Sequence, residues 1–407
     1  MPDTIYRDRD FYLFVASRFI ATLAIQVQSV AIGWQIYDME RTPLALGLVG
    51  LCQFAPMFLL TLPAGDIIDR FNQRRVYFLA AGLQAACSAL FLALSIFTPH
   101  KAVLFYAVLL LFGAARGFSG PSISSLLPFL VPPQQLPKAM GMNSSAFTVA
   151  VISGPALGGF LYALGPVAVY SLCIAGFAGA ALIILNLGGR RFVPEPTTDS
   201  RYERVAQGVR FVRARPVVLG AISLDLFAVL LGGAVALLPV YARDILHVGP
   251  LGLGFLRSAP AVGAFTTAFY LAHRPLKAHV GITMFAAVAL FGIATLVFGL
   301  SRWFPLSLAA LFVLGASDMI SVNVRGSLIQ LATPDAMRGR VSAVSMLFIG
   351  ASNELGEFES GVTAALLGTV PAVVVGGIGT LLVVAGWMKL FPALRRVNKF
   401  SDVSVAT

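Results

Sequence analysis

Charged residues are scarce in this chain. They account for 12% of its 407 residues, whereas soluble globular domains carry about 25%. Hydrophobic residues account for 58%, and the mean hydropathy is +0.85. A water-soluble fold could not bury this much apolar surface. The composition therefore excludes a soluble globular protein and predicts an all-α membrane protein.

Cysteine and histidine are also rare. The three cysteines, Cys52, Cys87 and Cys173, lie in apolar segments without paired spacing. This pattern favours small buried hydrophobic residues and does not support a disulfide framework or a cysteine metal site. The four histidines are scattered and form no metal-binding pair. Neither GxSxG nor HExxH occurs. We therefore expect no metal site, no cofactor and no enzymatic activity.

Long apolar runs dominate the chain instead. About 20 such residues cross a bilayer as a helix, and twelve runs of this kind are present, at 11–37, 44–68, 76–98, 102–130, 139–164, 167–188, 217–242, 250–272, 280–300, 304–331, 340–366 and 370–391. Of the 29 Lys and Arg residues, 21 fall in segments on the side of the N-terminus and four on the other side. This bias predicts that both termini are cytoplasmic, and it explains the net charge of +11 without a nucleic-acid partner.

The longest polar stretch divides the spans six and six. It covers 189–216, and its second part, YERVAQGVRFVRARP, predicts a basic amphipathic helix on the cytoplasmic membrane surface. PLALGLVG at 43–50 and PLGLGFLR at 250–257 indicate that the halves are repeats. We predict an N-terminal six-helix bundle at 1–188, a linker at 189–216, and a C-terminal six-helix bundle with its tail at 217–407.

The loop between the second and third spans carries a motif. GDIIDRFNQRR at 65–75 resembles motif A of the major facilitator superfamily at four positions, Gly65, Asp69, Arg70 and Arg74, while Asn72 stands where the family usually has glycine. A small residue lets helices approach closely, and an aspartate can pair with a basic group across the seam between the halves. The motif therefore predicts a conformational latch.

Two further segments of the first half resemble motifs of the same superfamily. RGFSG at 116–120 resembles motif B, with Arg116 at its membrane-embedded basic position. GPALGG resembles motif C, which is associated with antiporters, and matches it at Gly154, Pro155, Gly158 and Gly159. Proline bends a helix and glycines form a flat surface for close packing.

The resemblance implies the major facilitator fold, with twelve transmembrane helices in two pseudo-symmetric six-helix bundles, and a monomer. It further implies a secondary transporter that works by alternating access. RGSLIQLATPDAMRGRVSA at 325–343, followed by SNELGEFESG, is similar to the branch of enterobactin-type siderophore exporters and drug exporters. That similarity implies efflux of a small molecule across a plasma membrane, with a bacterial inner membrane as the expected location.

Equivalent positions of the two halves differ in charge. Offsets of 207 and 202 residues set Arg18 against Asp225 and Arg116 against Asp318. The glycine frame of motif C recurs around Glu357. At the centre of the protein, the first half is therefore expected to contribute cations and the second half carboxylates.

Helical periodicity groups these residues further. Asn353, Glu354 and Glu357 share one face of the eleventh span, while Glu359 points elsewhere. Asp318 and Arg325 share a face of the tenth span. Charges in the lipid core are costly, so these faces are expected to meet a water-filled cavity or a partner.

Two interpretations of these charges are open. In one, the charges form permanent interhelical ion pairs, such as Arg18–Asp225 and Arg116–Glu357 or similar pairs. In the other, a carboxylate exchanges a proton during transport, because burial favours its neutral form and a nearby arginine favours its charged form. The proton-site candidates are Asp225 and Glu357, then Glu354 and Asp318. The candidates for substrate contact are Arg18, Gln26, Gln28, Trp34, Arg116, Arg325 and Asn353.

The predicted function is export of a small amphipathic or anionic compound, such as a siderophore or drug, driven by the proton gradient. An acidic cluster with Asn353 could instead hold a divalent cation, so a metal exporter is an alternative. A lysophospholipid transporter is another alternative. A membrane receptor or sensor is the alternative of a different class.

Overall fold

The computed structural model describes residues 9–98, 101–188 and 201–403. Within these ranges the chain is helical and contains no strand. Six long helices precede the linker: α1 (Arg9–Glu40), α2 (Pro43–Arg70), α3 (Gln73–Phe97), α4 (Ala102–Leu130), α5 (Leu136–Ala163) and α6 (Pro166–Leu185). The linker contributes α7 (Arg201–Ala214).

Six spanning segments follow the linker. The first, Pro216–Ile245, is interrupted and contains α8 (Pro216–Leu231), a 3-10 turn (Ala234–Leu237), α9 (Leu238–Val240) and a π-helical turn (Tyr241–Ile245). The others are α10 (Gly249–His273), α11 (Val280–Leu300), α12 (Phe304–Ala332), α13 (Asp335–Leu367) and α14 (Thr369–Leu390), followed by the short α15 (Pro392–Arg395). The described chain thus has the twelve-helix architecture expected from the sequence.

Ten of these segments are long and apolar enough to cross a membrane on length and composition alone, counted over the described residues. The other two are α10, with 25 residues, and α13, with 33 residues. Among the spans, α13 carries the acidic run SNELGEFES. These acidic residues are an exception among the otherwise apolar spans, so the fold must provide surroundings that stabilise them.

The chain divides into two compact units. The first comprises the described residues of Met1–Pro196 together with Val248–Ser258, and the second those of Thr197–His247 and Ala259–Thr407. Helix α10 therefore begins in the first unit and ends in the second.

Equivalent helix crossings recur inside the two units. In the first unit, a Cβ atom at Gly113 of α4 would collide with the backbone carbonyl of Gln53 on α2. In the second, a Cβ atom at Gly315 of α12 would collide with the carbonyl of Pro260 on α10. Gly113 and Gly315 are related by the 202-residue offset, so each unit needs glycine at the same crossing.

A second helix crossing occurs in both units, but one of the contacting residues differs between them. Gly154 of α5 packs against the Cβ of Gln26 on α1, which is continuous there. The equivalent Gly356 of α13 lies against Val229 and Leu230, and a Cβ at Gly233 would approach the Gly356 carbonyl to 2.6 Å. The second unit therefore places glycine on both sides of this contact.

Helix α7 packs against α8 and α13. Val212 is buried with Val341 and Val344, and Gly208 allows α7 to approach the Arg340 backbone. The side chain of Arg213 is exposed. The linker helix thus has a buried and an exposed face, and it packs inside the second unit.

Candidate functional site

The second unit contains a cavity of about 330 Å³, here called the acidic cavity. Its charged or amide side chains are Asp318 of α12 and Asn353 and Glu357 of α13. Asn353 and Glu357 are one helical turn apart and share a face. The rest of the lining is apolar or glycine, from Val229, Gly232, Gly233, Val235, Ala236, Pro260, Ala261, Ala264, Phe291, Leu314 and Gly315.

The lining makes this cavity chemically unusual. Asp318 forms no hydrogen bond or ion pair with the described part of the chain. Two carboxylates in one largely apolar cavity repel each other, and Asp318 has no hydrogen-bond donor among the described residues to stabilise its charge. Uptake of a proton or a cation by one of them would remove that repulsion.

A break in the seventh span borders the acidic cavity. Helix α8 ends at Leu231, and Gly232 and Gly233 follow before the 3-10 turn. Glycine has low helix propensity, and Pro239 cannot donate a backbone hydrogen bond, so the sequence favours an interruption. The apolar run at 217–242 predicts one continuous span, whereas the structure interrupts it at Gly232 and Gly233, beside the carboxyl groups of the acidic cavity.

Asp225 and Arg325 form a buried ion pair between α8 and α12. Asp225 is 5% exposed and Arg325 is 4% exposed. One interpretation of the sequence assigned Asp225 to Arg18, and the structure corrects this, because Arg325 from the same unit is the partner. Offsets between repeats identify equivalent positions, but they do not identify contacts.

A smaller cavity lies beside Asp225 and shares Asp318 with the lining of the acidic cavity. It is lined by Asp225 and Asp318, with Ser317 and Ser321 beside them. Ser321 is buried, and its hydroxyl has no hydrogen-bond partner among the described residues. Asp318 lines both cavities, so it lies between the ion pair and Glu357.

The first unit contains a cavity of about 280 Å³, here called the cationic cavity. Arg18 of α1 and Arg116 of α4 both line it, and its lining contains no acidic residue from the described part of the chain. The remaining lining residues are Ala21, Thr22, Ile25, Met57, Tyr77, Gln84, Ser119, Gly120, Ile123, Ser124 and Phe147.

The two arginines have neutral neighbours. Arg116 Nη1 donates to Gln53 Oε1 at 3.2 Å. The Arg18 guanidinium carbon lies 5.5 Å from the centre of the Phe147 ring, a cation–π contact. These contacts orient the guanidinium groups but do not neutralise their charge.

Three other predicted substrate residues lie outside the linings of these cavities. Gln28 is buried, and its Oε1 accepts a hydrogen bond from Ser88 at 2.5 Å. Trp34 is also buried. Gln26 packs its Cβ against Gly154. Their surroundings indicate roles in helix packing within the first unit.

The predicted latch is described only in part. Gly65 is buried in α2, whereas the side chains of Asp69 and Arg70 lie outside what the structure describes. Arg74 donates to the carbonyls at the end of α6, with Nη2 at 2.5 Å from Leu185 O. Arg74 therefore caps α6 inside the first unit, where its charge matches the helix dipole.

Asn72, which departs from the family pattern, also has a local role. Its Oδ1 accepts a hydrogen bond from the Arg74 backbone N–H at 3.0 Å. It is the N-cap of α3, a position that favours asparagine. The departure from glycine is thus explained by the start of the next helix.

The glycines of GPALGG bring α5 close to two helices. A Cβ at Gly158 would lie 2.8 Å from the Val27 carbonyl on α1. A Cβ at Gly159 would lie 2.9 Å from Gly254 Cα on α10. Pro155 is also buried, and its carbonyl would lie 2.7 Å from a Cβ at Gly254. The motif thus provides close packing on two sides of α5.

Glu357 and Glu359, the described glutamate side chains in the acidic run of α13, have different surroundings. The side chain of Glu354 lies outside the described residues. Glu357 lines the acidic cavity, while Glu359 accepts a hydrogen bond from Thr363 one turn later, at 2.6 Å. Among the described side chains, no group of three or more His, Cys, Asp or Glu residues could hold a metal ion.

Several residues that line the cationic cavity are not among the residues predicted from the sequence. Tyr77 and Gln84 of α3 line the cationic cavity, and Gln84 Nε2 donates to Ser119 Oγ at 3.2 Å. Tyr77 and Gln84 are seven residues apart and share a helix face. This spacing, in an otherwise apolar span, was the available signal.

Comparison with known proteins identifies the family. A family model described as transmembrane secretion effector matches residues 5–406. The enterobactin exporters EntS of Shigella boydii and Escherichia coli are each 27% identical over 394 residues, covering 94% of this chain and 92% of the relative. The chain thus aligns with these relatives over almost its whole length.

Solved structures show the same fold. A bacterial homologue of the human lysosomal transporter Spinster, inward-facing and occupied, has a TM-score of 0.78 and 14% identity over 99% of both chains. A POT family transporter in complex with 5-aminolevulinic acid has a TM-score of 0.75 and 12% identity, covering 95% of this chain and 97% of that one. The chain is therefore a multi-pass membrane transporter rather than an enzyme, and it belongs to the transmembrane secretion effector family of the major facilitator superfamily.

Proposed function

We propose that this transporter exports a small amphipathic or anionic compound, such as a siderophore or drug, in exchange for protons. The acidic cavity carries the proposal, because Asp318 and Glu357 face one apolar space. Carboxyl groups in such a space change their proton occupancy when their surroundings change. The proton gradient is then the energy source.

Asp318 and Glu357 are the first candidates for the proton site. Asp225 already has a counter-ion in Arg325, so its carboxylate is stabilised. Asp318 lacks such a partner in the described chain and lies between that pair and Glu357. A proton on Asp318 would lower the negative charge near Arg325, and its loss would attract Arg325 away from Asp225. A move of Arg325 from Asp225 towards Asp318 would thus couple proton binding to a change in conformation.

The export direction rests on the relatives. The two EntS proteins are named as exporters of enterobactin, and they match nearly the whole chain. Their bacterial sources and the Lys and Arg bias support a location in a bacterial inner membrane with both termini in the cytoplasm. Alternating access of the two repeats around a midplane site is the mechanism typical of this fold.

The test is substrate-driven proton movement in liposomes. Purified protein is reconstituted with an internal pH dye and exposed to a panel of siderophores and amphiphilic drugs. Wild type is compared with Asp318→Asn, Glu357→Gln and Asp225→Asn. We expect at least one compound to drive proton movement, and we expect this movement to vanish in Asp318→Asn or Glu357→Gln.

Glu359→Gln provides the matched control, since that residue bonds to Thr363 and lies outside the acidic-cavity lining. It should retain proton movement. If Asp318→Asn and Glu357→Gln both retain it as well, the acidic cavity is not the coupling site. If no compound moves protons while flux of a compound is measured, transport is not proton-coupled.

A further inference from the structure

The cationic cavity holds two positive charges that the first unit does not neutralise. Arg18 and Arg116 reach it from different helices, α1 and α4. Both positions lie well inside apolar spans. Arg18 contacts the Phe147 ring and Arg116 donates to the Gln53 amide oxygen, and both partners are neutral.

An ionic partner within the unit is also missing from the lining. No Asp or Glu from the described chain lines this cavity, and neither arginine forms an ion pair with the described residues. Arginine stays protonated under all physiological conditions, so it cannot shed its charge as a carboxyl group can. Two uncompensated guanidinium groups at membrane depth are costly unless an anion or water meets them.

The other lining residues suit an organic anion better than a bare inorganic ion. Ile25, Ile123 and Phe147 provide apolar walls, while Ser119 and Ser124 provide hydroxyl groups. Guanidinium groups bind carboxylates through paired N–H donors in a fixed geometry. A ligand with an acidic group on an apolar or aromatic body would satisfy both kinds of surface.

We propose that the cationic cavity is the subsite for the acidic group of the substrate, so that the transported compounds are organic anions. This inference rests on the proposed export function and decides between its two substrate classes. Neutral and cationic amphiphiles would leave Arg18 and Arg116 without a counter-ion. They should therefore bind more weakly than anions of the same shape.

The experiment measures binding in detergent, with no membrane and no proton gradient. Three probes share one aromatic body and differ in charge: 2-naphthoate, 2-naphthamide and 2-naphthylmethylammonium. We expect wild type to bind 2-naphthoate at least about tenfold more tightly than the other two, the factor typical of a charge-assisted hydrogen bond. Arg18→Gln and Arg116→Gln should each lose most of that preference and leave 2-naphthamide binding unchanged.

Arg257→Gln is the matched control. Arg257 is a membrane-embedded arginine of α10 that donates to Ser29 Oγ at 2.6 Å and lies outside the cationic-cavity lining. It should keep the preference for 2-naphthoate. If the glutamine variants fail to fold, Arg18→Lys and Arg116→Lys decide the matter, because lysine retains the charge but not the paired donors. A loss of a few-fold in 2-naphthoate affinity is then expected.

Equal binding of the three probes, or no binding of 2-naphthoate up to its solubility limit, would overturn the proposal. So would an unchanged preference in both arginine variants. These failures differ from failure of the export proposal. Anion binding without proton movement in liposomes would support this subsite and contradict proton coupling. Proton-coupled flux of cations would support proton coupling and contradict this subsite.

Discussion

The two units repeat one helix arrangement, but the side chains that line their cavities carry opposite charges. Gly113 and Gly315 occupy the same crossing in each unit, and Gly154 and Gly356 occupy another. Yet the first unit lines its cavity with arginines, and the second lines its cavity with carboxyl groups. Close backbone contacts fix the frame, because backbone atoms cannot move aside for a Cβ. Side chains that line a cavity are not held by such backbone contacts, so their chemistry can differ between the two units.

The units also differ in the continuity of their first helix. Helix α1 runs unbroken through Gln26, whereas the equivalent segment of the second unit is interrupted at Gly232 and Gly233. The interruption borders the acidic cavity. Broken membrane helices are tolerated where they line a cavity, because the freed backbone groups need polar surroundings. The comparison therefore separates a unit whose cavity is lined by arginines from a unit whose cavity is lined by carboxyl groups and bordered by a broken helix.

The largest expected effect comes from changing equivalent positions in the two cavities. Asp318→Asn should reduce substrate-driven proton movement to the level of empty liposomes, because it removes the carboxyl group between the ion pair and Glu357. Arg116→Gln should weaken substrate binding but keep the number of protons moved per substrate. Parallel measurements of substrate flux and internal pH check this. Loss of coupling in Arg116→Gln with normal coupling in Asp318→Asn would reverse the assignment.

The next largest effect is on stability in the second unit. Asp225→Ala should lower the free energy of unfolding by about 3–5 kcal/mol, because it leaves Arg325 buried without its partner. Arg325→Ala should cost less, since an unpaired aspartate can become neutral by binding a proton. Thermal unfolding in detergent measures both. The double variant Asp225→Asn/Arg325→Gln should recover part of the loss, and equal losses in all three would contradict the ion-pair explanation.

Glycine substitutions at the helix crossing that recurs in both units should have a smaller effect on stability. Gly113→Ala and Gly315→Ala should each destabilise the protein by about 1–3 kcal/mol, because the added Cβ meets backbone that must shift. Gly82→Ala is the control, since no heavy atom lies within 4 Å of a Cβ there. Thermal unfolding midpoints should fall in the first two variants and not in the third. A fall in only one of the two would show that the crossings are not equivalent.

The smallest effect concerns the end of α6 in the first unit. Arg74→Ala should cost about 1 kcal/mol, because three bonds to carbonyls at this helix end are lost. The neighbouring exposed Arg75 gives the control variant Arg75→Ala. Comparable unfolding midpoints for the two variants would indicate that capping by Arg74 contributes nothing measurable.

Much of this architecture could be predicted, and the limits have physical reasons. Apolar runs of about 20 residues identify membrane helices because the bilayer sets their length. The pairing of Asp225 with Arg325 could not be predicted, because it depends on how α8 and α12 rotate about their axes. The face shared by Asp318 and Arg325 follows from periodicity, whereas the partner across that face does not. Gln28 and Trp34 illustrate the same limit, since a polar or aromatic residue in a span can face either a cavity or a neighbouring helix.

The amino-acid sequence by itself determined the membrane environment, the number of spans and the opposite charges at equivalent positions of the two halves, Arg18 against Asp225 and Arg116 against Asp318. These properties follow from composition and spacing, which are independent of helix rotation. The tertiary structure decided which charges meet: Asp225 with Arg325 in an ion pair, Asp318 with Glu357 in one cavity, and Arg18 with Arg116 in another. It also decided where the seventh span breaks. Contacts between helices depend on rotation and crossing angle, which are set by packing of the whole unit, so no single segment of the sequence specifies them.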